Sequence, residues 1–144
     1  MDLKSSKNIF VEMMFILNKN YNEYLDASFG KYDLTATQGL FLFKLEEFPD
    51  TTQKDLAKHF SLSKGWVAKY FMDLENKGFI EREKVQNDKR QYKITLTSKT
   101  TDLLPTFKRI IYDWNDQVHL DDLGDDFMDK FSKLVLNSSK VAVR

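Results

Sequence analysis

The apolar residues of this chain change period twice, and that restricts its fold more than any other feature. Up to Gly78 they recur every three or four positions, as helices that bury one stripe require. From Ile80 to Val85, and again at Tyr92, Ile94 and Leu96, they alternate, as strands with one buried face do. From Leu103 onward the helical period returns. A two-stranded hairpin is marginal in water, so this one must lean on the helices around it. The expected order is α-α-α-α-β-β-α-α, a mainly α chain with a small β-hairpin.

Local signals place the elements. Phe10, Met13, Met14, Leu17, Tyr21, Tyr24 and Leu25 form the stripe of an amphipathic first helix, which Ser28-Phe29-Gly30 should end. Thr35 and Gln38 form a capping box for a second helix. That helix carries Leu40, Phe41, Leu42, Phe43, Leu45 and Phe48, apolar on most sides and therefore expected to be buried, and Pro49-Asp50 stops it. Thr52 caps a short third helix with Leu56, Ala57 and Phe60 inward. Ser63 caps a fourth, whose core face is Val67, Tyr70, Phe71 and Leu74 and whose stop is Gly78. The hairpin has a polar tip, Gln86-Asn87-Asp88-Lys89-Arg90. Thr97 caps a long helix in which Pro105 predicts a kink or local break. A last helix carries Phe127, Phe131, Leu134 and Val135.

A length of 144 residues suits one domain with helical extensions, and 12 Phe supply ample core. With no Cys there is no disulfide scaffold, thiolate metal site or cysteine nucleophile. No apolar run approaches the roughly 18 residues of a membrane span. Met1 to Lys7 lack the apolar core of a signal peptide, so the expected location is the cytoplasm, with no membrane partner. Net charge is zero, but it is divided unevenly. Thr52 to Thr97 hold ten Lys and Arg against six acids, whereas Ile110 to Asp129 hold seven Asp and no Lys or Arg. A basic centre can face a phosphate backbone even when the total is neutral.

The segment Thr52 to Leu96 reads as a winged helix-turn-helix that grips double-stranded DNA. Ala57, Ser61 and Val67 supply a small residue where two helices cross, a small residue in the turn and a branched anchor. Opposite that anchor, the second helix presents Gly65, Ala68, Lys69 and Met72, flanked by Lys64, Trp66 and Asp73. Small residues and Lys let a helix approach a major groove closely. At the hairpin tip stand Asn87, Lys89 and Arg90. An Arg on a narrow loop suits a minor groove, and Asp88 is placed to pair with Arg90 and hold it extended. The candidate DNA-binding residues are Gln53, Lys54, Ser63, Lys64, Gly65, Trp66, Ala68, Lys69, Asn87, Lys89 and Arg90, with Asp88 supporting the wing. Trp66 has two readings: an aromatic packed beneath the wing, or a contact to a thymine methyl or sugar.

These residues carry a resemblance. Leu34-Thr35-x-x-Gln38, Leu56-Ala57-x-x-Phe60, and Leu62-Ser63-Lys64 with Val67 match the MarR family of bacterial winged helix-turn-helix transcriptional regulators. So do Leu74-Glu75-x-Lys77-Gly78-Phe79-Ile80-Glu81-Arg82, Asp88-Lys89-Arg90 and Leu96-Thr97-x-Lys99. About half the chain is covered, and the flanking helices agree in number and length. The resemblance implies a homodimer on a pseudo-palindromic operator, most commonly as a repressor. Residues 1–33 and 97–144 would form the helical dimerisation region, and 34–96 the DNA-binding domain. It places the helix from Ser63 to Lys77 in the major groove and the wing in the minor groove. It also implies release by a small, often aromatic, ligand in a cleft between the two regions, for which Tyr21, Tyr24, Phe41 and Trp114 are candidates. Two departures stand out. Gly65, Trp66 and Ala68 replace residues that often carry hydroxyls, and Thr100 replaces a common glycine, which bears on the start of the helix after Thr97.

Other readings have less behind them. His59 and His119 lack metal-ligand spacing, and no cofactor is expected. Asp121-Asp122 and Asp125-Asp126 are explained by helix-start capping beside Gly124. The chain has no phosphate-binding glycine loop and no zinc-protease His pair, which argues against an enzyme. The alternative is a winged-helix module that binds a protein partner instead of DNA, suggested by the neutral total charge and the hydroxyl-poor face.

Overall fold

The computed structural model describes residues 9–141 and, within that span, all side chains except those of 88–91. The expected order holds: α1 (Ile9–Gly30), α2 (Ala36–Glu47), α3 (Gln53–His59), α4 (Lys64–Asn76), β1 (Ile80–Val85), β2 (Asp88–Leu96), α5 (Ser98–Gln117) and α6 (Gly124–Ser138). A 3-10 turn, Leu120–Leu123, joins the last two helices.

Short hydrogen-bonded motifs set the ends of these elements. Thr35, Thr52, Ser63 and Thr97 each accept the amide three residues on, and at Thr35 and Thr52 the capping box is complete. Three corners close in one way. The amides of Leu34, Leu62 and Phe79 reach back five residues to the carbonyls of Phe29, Ala57 and Leu74, at 3.2, 2.9 and 2.9 Å. The residue before each of them is left-handed: Asp33 (φ 61), Ser61 (φ 54) and Gly78 (φ 80). α1 ends at Gly30 as expected, and Asp33 supplies the left-handed residue of the turn that follows. Ser61 adopts the conformation that the helix-turn-helix corner demands although it carries a side chain.

The core is one continuous cluster, with Phe29, Phe41, Phe71, Phe79 and Phe107 fully enclosed. α1 and α2 cross where Gly39 meets Phe29. A Cβ at Gly39 would lie 2.5 Å from the Cε1 and Cζ atoms of that ring. Phe29 is itself fully buried and cannot swing aside, so Gly39→Ala is expected to cost about 1–3 kcal/mol from overpacking. That loss should appear despite the roughly 1 kcal/mol that Ala gains over Gly in helix propensity. A urea midpoint at or above that of the wild type would contradict it. Between α2 and α5, the Lys108 ammonium lies 2.6 Å from the Glu46 carboxylate.

Several expectations are corrected. α5 runs through Pro105 without a break. The missing donor leaves only the Thr101 carbonyl without its helical partner, Thr101 and Pro105 are both exposed to water, and the flanking Leu104 and Phe107 are locked in the core. Phe48 is not buried in α2. It is the C-cap beyond the helix and is 52% exposed. The five-residue polar tip shortens to a Gln86-Asn87 turn. Val85 pairs with Asp88, and the register shifts between Lys84 and Val85. The backbone of Asp88, Lys89 and Arg90 thus belongs to β2, with the extra residues absorbed as a bulge. No aspartate side chain caps α6. Leu123 occupies that position, while Asp125 and Asp126 lie in the first turn, where their charge suits the helix dipole. Thr100 does not disturb the start of α5, because its buried hydroxyl donates to the Phe79 carbonyl.

The stripe of α1 divides. Leu25 and Phe29 are buried, whereas Phe10, Met13, Met14 and Leu17 are largely exposed. α6 buries none of its residues, and Phe127, Leu134 and Val135 remain uncovered. Among the described residues, no helix is long and apolar enough to cross a membrane.

Candidate nucleic-acid interface

α3 and α4 form the helix-turn-helix, with Ala57 and Val67 buried at the crossing. Val67, Phe71 and Leu74 fix the inner face of α4 in the core. The outer face is open: Ser63, Lys64, Gly65, Trp66, Lys69 and Met72 are exposed, and Ala68 is half-buried. Trp66 keeps 50% of its surface exposed, and its aromatic neighbour is Tyr70 of the same helix, edge-on at 5.1 Å. Lys54 is exposed and Asn87 is exposed at the wing turn. The expected Asp88–Arg90 pairing, and the Lys89 and Arg90 side chains, lie outside the described residues.

Gln53 is engaged within the protein. Its Oε1 accepts from Arg82 at 3.3 Å, and the same guanidinium donates to Glu75 at 3.0 Å and lies 4.8 Å over the Tyr92 ring. Arg82 thereby ties β1 to α3, α4 and β2. Its charge, part of the basic surplus in the sequence, is spent on an ion pair with Glu75. The alternation of β1 gave the clue, because Arg82 lies on the same strand face as the buried Ile80. The wing also docks through an isolated bridge between Thr52 and Lys93.

Asp73, at the flank of this face, is engaged within the protein. Its Oδ2 accepts from Gln38 Nε2 at 2.7 Å and from the Lys77 ammonium at 2.9 Å. Lys77 also donates to the Asp33 carbonyl at 2.6 Å, and Lys99 donates to the Lys77 carbonyl at 2.9 Å. The bonds from Lys77, then Gln38, hold the Asp73 carboxyl below its ordinary value, and the bond to Asp73 raises the Lys77 ammonium. The signs fix a pH window. For Asp73 the stabilisation is complete above 3.8, its ordinary value, and is lost as pH falls through the lowered one. For Lys77 it is complete below 10.5 and is lost as pH rises through the raised one. Lys77→Met is therefore expected to lower the urea midpoint at neutral pH, with a gap to wild type that shrinks below 3.8. A gap constant down to strong acid would contradict the pairing. The effect should be modest, since the Asp73 side chain is 47% exposed.

The four candidate ligand residues do not form one group. Tyr21 and Trp114 are in direct ring contact at 4.4 Å, and the Tyr24 hydroxyl is 3.5 Å from Gln117 Nε2. Burial raises the Tyr21 phenol. Phe41 stacks on Phe71 at 5.2 Å inside the core and is 1% exposed, so it lines no open cleft. His59 packs edge-on against Phe60, and His119 occupies a left-handed turn. Among the described residues, no group of three or more His, Asp or Glu is placed to hold a metal ion.

The α3–α4 pair with a two-stranded wing, and an open face on α4 that carries Lys64 and Lys69, defines a winged helix-turn-helix protein. The MarR family model matches residues 34–92. The HTH-type transcriptional regulator SarZ of Staphylococcus haemolyticus is 32% identical over 112 residues, 77% of this chain and 71% of the relative. The chain belongs to the MarR family of transcriptional regulators. Its fold is similar to that of a MarR regulator from Methanosarcina mazei, with a TM-score of 0.80 at 21% identity, covering 94% of this chain and 100% of the other. It is also similar to MepR of Staphylococcus aureus, solved as a DNA complex, with a TM-score of 0.74 at 22% identity over 90% and 94% of the two chains.

Proposed function

We propose that this protein is a homodimeric regulator, acting as a repressor, that binds a pseudo-palindromic DNA operator through α4 and the wing. The observation that carries the reading is the seating of α4. Its inner face is fully enclosed, while Lys64, Gly65, Trp66 and Lys69 stand exposed on the other. A rigid helix with an open face of small and cationic residues fits a major groove. The MepR structure, solved with DNA, supports the same use of a similar fold.

The exposed apolar rows of α1 and α6 support the dimer. Phe10, Met13, Met14 and Leu17 on one helix, and Phe127, Leu134 and Val135 on the other, are more than single surface residues. A second copy would cover them, with residues 1–33 and 97–144 as the dimerisation region and 34–96 as the DNA-binding domain. Release by a small ligand would draw on the Tyr21, Tyr24 and Trp114 group without Phe41. The proposed location is the cytoplasm.

Selection of bound sequences from random duplexes tests the whole reading. The expected product is a dyad whose half-sites are centred about 34–36 Å apart, bound by a dimer in sedimentation. A monomer, or no enriched sequence, would overturn it. The half-exposed Trp66 and Met72 favour a second reading, a protein partner on the same face. Salt-insensitive behaviour toward every duplex would select that reading.

A further inference from the structure

Apolar packing seats α4 but does not by itself fix its roll or its position along its own axis. Val67, Phe71 and Leu74 would stay covered through a modest rotation, because dispersion and burial are weakly directional. A rotation of ~20° moves side-chain ends at the helix's outer radius of roughly 5–6 Å by about 2 Å. Recognition contacts tolerate only about 0.5 Å. Something directional must hold α4.

Gln38 has the required geometry. It is 1% exposed, in an otherwise apolar stretch of α2. Its Oε1 accepts the Thr35 amide at 3.1 Å and completes the capping box that starts α2. Its Nε2 donates to Asp73 Oδ2 at 2.7 Å and reaches the Tyr70 carbonyl at 3.4 Å. Tyr70 and Asp73 are one turn apart on α4, and Tyr70 is the next residue after Lys69. One buried amide therefore grips two successive points on α4 while locked to the first turn of α2. The Ala36 amide, in that same turn, donates to Asp26 of α1 at 2.9 Å, so the anchor continues into the long helical arm.

We infer that Gln38 is a positioning residue for DNA recognition, setting the roll and axial position of α4 through Asp73 and Tyr70. This rests on the DNA-binding reading above. Gln38→Glu keeps the size and the acceptor for Thr35 but turns a carboxylate oxygen toward the Asp73 carboxylate. Adding Asp73→Asn restores a donor–acceptor pair with its direction reversed.

The test uses the full chain and two duplexes of equal length, one obtained by selection and one unrelated. The readout is the ratio of the two affinities. A loss of folded protein lowers both affinities by one factor and leaves the ratio unchanged, whereas a misplaced helix loses base reading and keeps phosphate attraction. Gln38→Glu is expected to lower the ratio by about tenfold or more, the scale of one mismatched base pair. The double variant is expected to recover to within about threefold of wild type. An unchanged ratio in folded Gln38→Glu would overturn the inference, as would a double variant no better than the single. Should Gln38→Glu not fold, Gln38→Asn takes its place. It is one methylene short of its partners, and an unchanged ratio there would also overturn the role. A wild type that binds no duplex would instead remove the DNA-binding reading itself. A wild type that discriminates, with variants that discriminate equally, would remove only the role of Gln38.

Discussion

Phe29→Ala is expected to lower stability by about 3–5 kcal/mol, a large part of the roughly 5–15 kcal/mol that holds a domain of this size. Phe29 is 0% exposed and is the last buried side chain of α1. Its ring lies 5.6 Å from that of Phe107 on α5 and fills the notch left by Gly39 on α2, so one side chain joins three helices. Truncation would leave a cavity that neighbours cannot readily fill. Phe107 is already packed against Tyr32 at 5.3 Å, and Gly39 has no side chain to advance. The measurement is a urea titration at fixed protein concentration, since dimerisation would make the midpoint depend on it. A loss below about 1 kcal/mol would mean that α1 is held elsewhere, chiefly by contacts along its exposed apolar row.

Features that depend on neighbouring residues were legible in the sequence. The caps at Thr35, Thr52, Ser63 and Thr97, the glycine stop at Gly78 and the shift to alternation after it are all local, and each stands where it was read. Local statistics misled where a neighbour's identity outweighed the residue itself. Pro105 looked like a break, but the core contacts on both sides of it hold α5 together.

The site was half legible. The outer face of α4 follows from helical spacing alone. Its supports do not, because they join residues far apart in the chain. Gln38 and Asp73 are 35 positions apart, and Arg82 meets Gln53 across 29. Each has an ordinary local role that conceals the distant one: Gln38 as part of a cap, Arg82 as one more positive charge. The grouping of the ligand candidates was incomplete for a related reason. Aromatic residues at helical spacing do not reveal which helix face meets which neighbour, so Phe41 was grouped with Tyr21 and Trp114 although it packs against Phe71.

Reversing the charge of both exposed lysines on α4, Lys64→Glu with Lys69→Glu, is expected to weaken binding to a selected duplex on the order of 100-fold at moderate salt. The physical case begins at the start of the helix. Lys64 stands in the first turn of α4, where a cation opposes the positive end of the helix dipole and no acidic side chain offsets it. α3 presents the contrast, with Asp55 in its first turn completing a capping box. In α4 the third position is Trp66, so Ser63 accepts one amide and no carboxylate returns the bond. A helix start left cationic in this way is disfavoured in the protein alone, and a phosphate placed there relieves it through both the dipole and the ammonium. Lys69 lies beyond the first turn on the same outer face, and its contribution is therefore mainly its own charge. The neutral pair Lys64→Ala with Lys69→Ala separates the two effects. If both lysines neutralise phosphates, the slope of log affinity against log salt should become shallower by about 0.9 for each, roughly 1.8 together. Neither residue contributes to the core, so the urea midpoint should not fall, and removal of Lys64 from the helix start should raise it slightly. An unchanged salt slope in the alanine pair would place the phosphate contacts elsewhere, and unchanged affinity in the glutamate pair would remove α4 from the interface.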